Sequence, residues 1–304
     1  MTSRQSYEAF KRQARELQVR FREQELKVGY YKYPNVLNYS DARKGLIFFE
    51  GFRDEIMAEL KQPVAPTSTE PSAQMLTNLL RSEHIPYNIF FPMKHDPDGC
   101  RDLFNDILGS SNIKTISDIV IEYHPEPIEE YLDDHTAFDV YVPYINIEGK
   151  PCGIGIEVKY TEKEYQLKPD SREYSHIKDE NGNTCLSKAY KRATEGCGYY
   201  KPEVTHDQLV ANKFRQIWRN HMLGVAMVLH NDIAQFTSVT IYPEGNVHFS
   251  RDAMPAYKQM LKDEYANTCI PISYESMFDL MNRHLHMKEK NAWIAYLKRR
   301  YIIP

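Results

Sequence analysis

Long apolar runs are missing from this 304-residue chain. No stretch approaches the roughly eighteen uninterrupted apolar residues of a membrane-spanning helix, so no span is expected. The opening residues, MTSRQSYEAFKRQARELQVR, lack the apolar centre of a signal peptide, and their interspersed acids set them apart from a mitochondrial presequence. A cytoplasmic protein is therefore expected. Cysteine is sparse: Cys100, Cys152, Cys185, Cys197 and Cys269 form no C-x-x-C string and are odd in number, which argues against a disulfide framework or a thiolate zinc site. H-E-x-x-H is absent, as are the glycine-rich strings of Rossmann and P-loop proteins. Charge of one sign is not in excess either. With 38 basic and 42 acidic residues the net charge is −4, which excludes a polycationic tail but not a nucleic-acid enzyme with a locally basic cleft. Tryptophan is rare, 2 against 22 tyrosines, and the tyrosines suit a polar cleft.

Periodicity supplies the organisation. Phe10, Ala14, Leu17 and Phe21 recur at helical steps and predict a first helix with one buried stripe, ended by Gly29 and YYKYPN. A second helix is expected from about Ser40 to Lys61, and a third over Ala73–Glu83 after the proline-rich loop Gln62–Ser72. Near residue 113 the period changes. Ile119 to Tyr123 alternates like a strand and ends at HPEP; Phe138–Tyr144 is a second strand, with Phe138, Val140 and Val142 on one face. Gly153–Tyr160 is a third, with Ile154, Ile156 and Val158 on one side and Glu157 and Lys159 on the other. Residues 161–206 read as a long polar insertion. A helical register resumes at Asp207, with Asn212, Gln216 and Asn220 sharing a polar face. FTSVTIY is a fourth strand, and helical stretches around 254–264, 274–284 and NAWIAYLKRRY complete the chain. The expected fold is an α/β sandwich with a mixed central sheet flanked by helices. Residues 1–71 are expected to form a helical N-terminal extension, and 72–304 the main domain.

One string concentrates chemistry: AFDVYVPYINIEGKPCGIGIEVKYTE, residues 137–162. If the two strands are antiparallel neighbours, Asp139 comes beside Glu157, and period two puts Lys159 on the face of Glu157. Two carboxylates at that range are hard oxygen ligands that suit Mg²⁺, or Mn²⁺ in its place, rather than zinc. A lysine beside them has work to do where negative charge accumulates on a scissile phosphoryl group. Phosphodiester hydrolysis uses all three parts.

Asp139 followed eighteen positions later by Glu157-x-Lys159 resembles the signature of the PD-(D/E)XK nuclease superfamily, the restriction-endonuclease-like fold. Phe138 stands where that signature usually has proline. The runs VIEYHPE, TAFD, GIGIEVKYTE and QLVANKFRQIWRNHMLG resemble a group of uncharacterised bacterial nucleases of that superfamily, as do HIPYNIFFPM and WIAYLKRRY, from about residue 72 to 301. The resemblance implies Asp139 and Glu157 as metal-binding acids, Lys159 as the catalytic lysine, Glu122 as a further acid, and Gln216 as a glutamine near the metal. It implies a Mg²⁺-dependent DNA endonuclease, with RNA left open as a substrate and a homodimer open as its assembly.

The plain alternatives are an exposed edge strand bearing an ordinary Glu157–Lys159 surface salt bridge, and surface roles for Glu122 and Gln216. Gly153 and Gly155 on the same face argue for room beside it, for a ligand or a close backbone. At the level of function the alternatives are an inactive nucleic-acid-binding or structural protein on the same fold, and a two-carboxylate glycosidase, which would have no need of Lys159. Phosphate contacts are expected from two basic clusters. Lys188 to Arg219 holds seven basic against three acidic residues, and Arg283 to Arg300 six against one. From these, Lys191, Arg192, Lys213, Arg219, Lys298 and Arg299 are the candidate contacts.

Overall fold

The computed structural model describes residues 3–60 and 73–303, with side chains from residue 6 onward. The expected loop 62–72 and the expected domain boundary within it lie outside the described residues. The chain opens with α1 (Ser3–Phe21), whose Phe10, Ala14, Leu17 and Phe21 are buried, as their spacing predicts. Then come α2 (Tyr39–Ala42) and α3 (Arg53–Glu59), α4 (Ala73–Thr77), α5 (Ile85–Ile89) and α6 (Pro97–Leu108). Four strands follow: β1 (Ile113–Ile116), β2 (Val120–Tyr123), β3 (Phe138–Asn146) and β4 (Pro151–Val158). After α7 (Arg172–Ile177), α8 (Lys188–Gly196), α9 (His206–Leu209) and α10 (Arg215–Leu229) come β5 (Gln235–Tyr242), α11 (Met254–Met260) and β6 (Cys269–Ser273). The last elements are α12 (Tyr274–His284) and α13 (Lys290–Tyr301).

Among the described residues the six strands form one mixed sheet in the order β1-β3-β4-β5-β6, with β2 also on β3. β1 pairs with the end of β3 around Tyr144–Asn146 and β2 with its beginning around Phe138–Tyr141, so one sheet edge is two short strands laid end to end. β3 and β4 are antiparallel, while β4, β5 and β6 run parallel. One face buries Val140, Val142, Ile154, Ile156 and Val158 in a core shared with α1, α6, α12 and α13. The other face packs under α10, with α8 and α11 beside it. No helix among the described residues is long and apolar enough to cross a membrane.

Several expectations are corrected. The single helix over Ser40–Lys61 is two short ones, because Gly45 turns the chain in the left-handed region at φ +69 and Ile47, Phe48 and Phe49 are buried in succession, which no single helical face allows. The helix over Ala73–Glu83 stops at Thr77, after which Leu79 N–H bonds to Asn35 carbonyl in a link with the 33–36 loop. Two strands, β1 and β6, and the helix α6 were not anticipated. Phe138 departs from the face of Val140: its ring lies over Gly155 and stacks on Tyr141 and Phe236, at 5.8 and 5.4 Å between centroids. The space beside Gly155, like that beside Gly153 under the Tyr141 ring, is therefore filled by aromatic carbon rather than left for a ligand. Gly224 has a different task. A Cβ there would overlap the Phe236 ring, so only glycine lets α10 settle this closely on β5.

Candidate active site

Strand register assembles the site. Val140 opposite Ile156 sets Asp139 opposite Glu157. The pairs Ile121–Val140 and Tyr123–Phe138 set Glu122 opposite Asp139 on the other side. Glu157 in turn lies beside Thr240 of β5. Three carboxylate positions thus form a row across β2, β3 and β4, at the strand spacing of about 4.8 Å. Lys159 follows two residues after Glu157, on the same face and just past the end of β4.

The side chains converge as the register requires. The Lys159 ammonium pairs with Glu157 Oε1 and donates to Gln216 Oε1 at 2.7 Å. The second Glu157 oxygen accepts from Asn220 Nδ2. Asp139 Oδ2 accepts from the Val158 N–H at 2.6 Å, locking the carboxylate of one strand to the backbone of the next. The Tyr165 ring, from the stretch after β4, covers the Lys159 ammonium at 5.5 Å. Glu157 and Lys159 are 7% and 3% exposed, so the pair is not the surface salt bridge of an edge strand. Gln216 and Asn220, one turn apart on α10, both point into the cluster.

Its electrostatics are unbalanced. Burial, then the charge of Glu157, push the Asp139 carboxyl well above the usual carboxylate range, against the opposing pull of Lys159 and the Val158 N–H. For Lys159, burial favours the neutral amine, yet the charges of Glu157 and Asp139 outweigh it and raise the ammonium pKa. Glu122 reaches solvent, but partial desolvation and then the charge of Glu83 raise its pKa as well. It is also a non-glycine strand residue at φ +56, a conformation held against local preference.

The donor chemistry suits a hard divalent cation: carboxylate oxygens from Asp139 and Glu157, set on neighbouring strands at one level of the sheet. Among the described residues no three His, Cys, Asp or Glu side chains gather as a ready metal-holding group. An ion held by the two acids would therefore keep water or other oxygens in its remaining positions, as Mg²⁺ does.

The candidate phosphate contacts are placed elsewhere. Arg219 is drawn inward, to Asp134 Oδ2 at 2.9 Å, Glu173 at 3.2 Å and the Tyr190 hydroxyl at 3.0 Å. Lys213 pairs with Asp252, Lys298 with Asp279 and Arg299 with Glu25. Lys191 stands 3.9 Å from Glu195, and Arg192 donates to the Glu130 carbonyl. None of the six hydrogen-bonds or ion-pairs with Asp139, Glu157 or Lys159. Two residues at the cluster had not been singled out as site residues. Asn220 carried a signal, since it shares the helical face of Gln216; Tyr165 carried none, because nothing in an irregular stretch fixes where its ring will fall.

A mixed sheet between helical layers, carrying D…E-x-K where an antiparallel pair ends, defines a restriction-endonuclease-like α/β protein. A family model described as the PD-(D/E)XK nuclease superfamily matches residues 5–303, nearly the whole chain, and the protein belongs to that superfamily. No curated protein and no solved structure matches it.

Proposed function

We propose that this protein is a metal-dependent nuclease that hydrolyses phosphodiester bonds of DNA, cutting internally, with Asp139, Glu157 and Lys159 as its catalytic centre. The observation that carries the reading is the buried contact between Lys159 and Glu157, with the Asp139 carboxylate position directly opposite Glu157 on the neighbouring strand. A structural ion pair needs no second acid; here Asp139 adds one, buried and pushed toward its neutral form, which a divalent cation would stabilise as carboxylate.

Asp139 and Glu157 would hold the ion, and Glu122 extends the acidic row toward solvent. When bound, Mg²⁺ or Mn²⁺ supplies Lewis-acid polarisation of the phosphoryl oxygen and a lowered pKa for the attacking water. Lys159 stays protonated at neutral pH and presents a fixed positive charge to the charge that develops at phosphorus. Gln216 accepts from the ammonium and orients it. Asn220 holds the far oxygen of Glu157, which keeps the carboxylate from rotating away. The Tyr165 ring limits access of water to the lysine.

The test is cleavage of labelled DNA and RNA, circular and linear, with Mg²⁺, Mn²⁺ or EDTA, for wild type and Lys159→Ala. Metal-dependent nicking of circular DNA by wild type alone is expected. Equal activity of the two proteins, or no cleavage with any divalent metal, would overturn the assignment.

A further inference from the structure

Beside the candidate site lies a cleft of about 760 Å³, walled by α1, the 33–36 loop, residues 78–83 and the 161–165 segment that leaves β4. Its walls are tied together. The Tyr7 hydroxyl donates to the Thr161 carbonyl at 2.7 Å, the Thr161 hydroxyl to the Leu80 carbonyl at 3.2 Å, and the Ser82 N–H to Glu162 at 3.0 Å. Asn35 bonds Asn78 across the other side at 2.9 Å. Such a cleft is preformed, within the range of 300–1,000 Å³ usual for ligand sites.

Its chemistry is cationic and aromatic. Lys11 and Arg15 stand one helical turn apart on α1, and neither makes a hydrogen bond or ion pair among the described residues. Of the three acids that line the cleft, Glu83 is held by Arg81, Glu162 by the amides of Ser82 and Tyr160, and Glu164 stands 3.9 Å from Lys163. Tyr33 and Tyr165 line the same cleft with 57% and 46% of their surface exposed. Exposure of this kind is selective. Of the seven large hydrophobic side chains exposed among the described residues, five are tyrosines, four of them between positions 30 and 39. Tyr165 is also the ring over Lys159, and Glu83 is the charge felt by Glu122, so the cleft adjoins the row of carboxylates through these two residues.

We infer that this cleft is the track for one unpaired nucleic-acid strand next to the scissile bond, an assignment that rests on the nuclease reading above. Lys11 and Arg15 hold successive backbone phosphates, while Tyr33 and Tyr165 stack on splayed bases. Unpaired cations on one wall and exposed rings on the other are what a single strand offers partners for; in a duplex the base faces are already stacked on one another. The protein's net charge of −4 adds no general attraction for a duplex, so retention of the strand depends on this local surface.

The assay measures binding of a fluorescein-labelled single strand and the matching duplex by anisotropy in EDTA, over a range of salt, so that no cleavage is needed. Wild type is expected to prefer the single strand at least tenfold. Lys11→Glu with Arg15→Glu should reduce that affinity at least tenfold and lower the salt slope by about 1.4, the contribution of two phosphate contacts on a single strand. Tyr33→Ala should weaken binding about fivefold or more and leave the salt slope unchanged, the signature of lost stacking. Lys114→Glu, on the exposed side of β1, serves as the surface-charge control and should change nothing. Thermal melting checks that each variant folds. Equal affinity for both substrates, or wild-type binding by the double variant, overturns the track. Neither outcome bears on cleavage, which the Lys159→Ala comparison reads separately.

Discussion

Two buried cations in this molecule are kept in opposite ways. Arg300 is fully buried with no carboxylate beside it: its guanidinium donates to the Ile47 carbonyl, the Tyr296 hydroxyl and His84, and lies 4.9 to 5.6 Å from the rings of Phe21, Tyr296 and Tyr301. Burial, then that guanidinium, hold His84 neutral, its pKa well below the usual imidazole range. Lys159 is as deeply buried but pairs with the Glu157 carboxylate, with a second acid, Asp139, on the next strand. Around Arg300 the positive charge is spread over a carbonyl dipole and ring faces, although its Nε and the Nδ1 of His84 are left without a partner. Around Lys159 it is concentrated on one carboxylate, with a second acid alongside that burial disfavours as an anion. The contrast separates a cation that holds the fold from one poised for chemistry. It also explains two stretches of sequence: HIPYNIFFPM and WIAYLKRRY meet at the Arg300 locus, through His84–Arg300, Asn88–Tyr301 at 3.0 Å and the Trp293 indole on the Asn88 carbonyl at 2.7 Å. They accompany the D…E-x-K signature as its scaffold.

Lys159→Ala is the sharpest way to test that contrast. Turnover should fall a hundredfold to a thousandfold, the scale of deleting one transition-state electrostatic group. Metal should bind more tightly to the variant, because Glu157 is freed from its ammonium; isothermal titration beside the cleavage assay reads both. Arg300→Met should do the reverse. Unfolding free energy should drop by about 2–4 kcal/mol as the Ile47 carbonyl and its neighbours lose their donor, while turnover per folded molecule stays within a factor of two. A denaturant titration and an assay well below the transition would show it, and loss of turnover in excess of unfolding would dissolve the distinction between the two loci.

Asp139→Asn should stabilise the metal-free protein by about 1 kcal/mol, a shift of roughly 2–4 °C for a chain of this size, while removing metal-induced stabilisation. The sign follows from the raised pKa of Asp139. Its folded state binds the proton more tightly than the unfolded chain does. The stabilising contribution is thus complete below the unfolded pKa of about 3.9 and is lost as pH rises through the higher folded value. Above that folded value the ionised carboxylate is a liability until a cation arrives. Melting curves in EDTA across pH 4 to 8 should show that slope in wild type and not in Asp139→Asn. The smallest effect belongs to Gln216→Ala, which removes an acceptor from the ammonium: a threefold to tenfold loss of turnover with metal affinity intact, read by the same assay.

The parts of the fold legible in the sequence were those whose burial repeats. β3, β4 and β5 alternate, α1 and α10 carry helical stripes, and these elements position Asp139, Glu157, Lys159 and Gln216. What escaped was short or irregular. β6 spans five residues and contains Pro271, tolerable only because the strand lies at the sheet edge. α6 had its markers in plain view, Asp96 capping the Gly99 N–H, Pro97 in the first turn and Gly109 in the left-handed conformation after the last, but no long apolar stripe drew attention to them. Residues 40–60 hide their structure because Ile47, Phe48 and Phe49 are buried in succession, which erases the periodicity that would mark a face. At the cluster, Glu122 opposite Asp139 depends on a strand pairing that alternation alone cannot assign, and the arrival of Tyr165 depends on the tertiary path of an irregular segment.

Gly224 makes the candidate site a matter of tolerances. The Phe236 ring occupies the volume where any other residue would carry its first side-chain carbon, so the height of α10 above β5 is fixed by a single hydrogen atom. Asn220 lies one turn and Gln216 two turns away along the same helix, about 6 and 12 Å of rise. Pushed up at Gly224, the helix would tilt as a rigid beam, and its tip would swing furthest where Gln216 meets Lys159. The alignment of an ammonium group is thus gauged by a contact it never touches, and a neutral methyl could detune the cluster without altering its charge, its acids or its lysine.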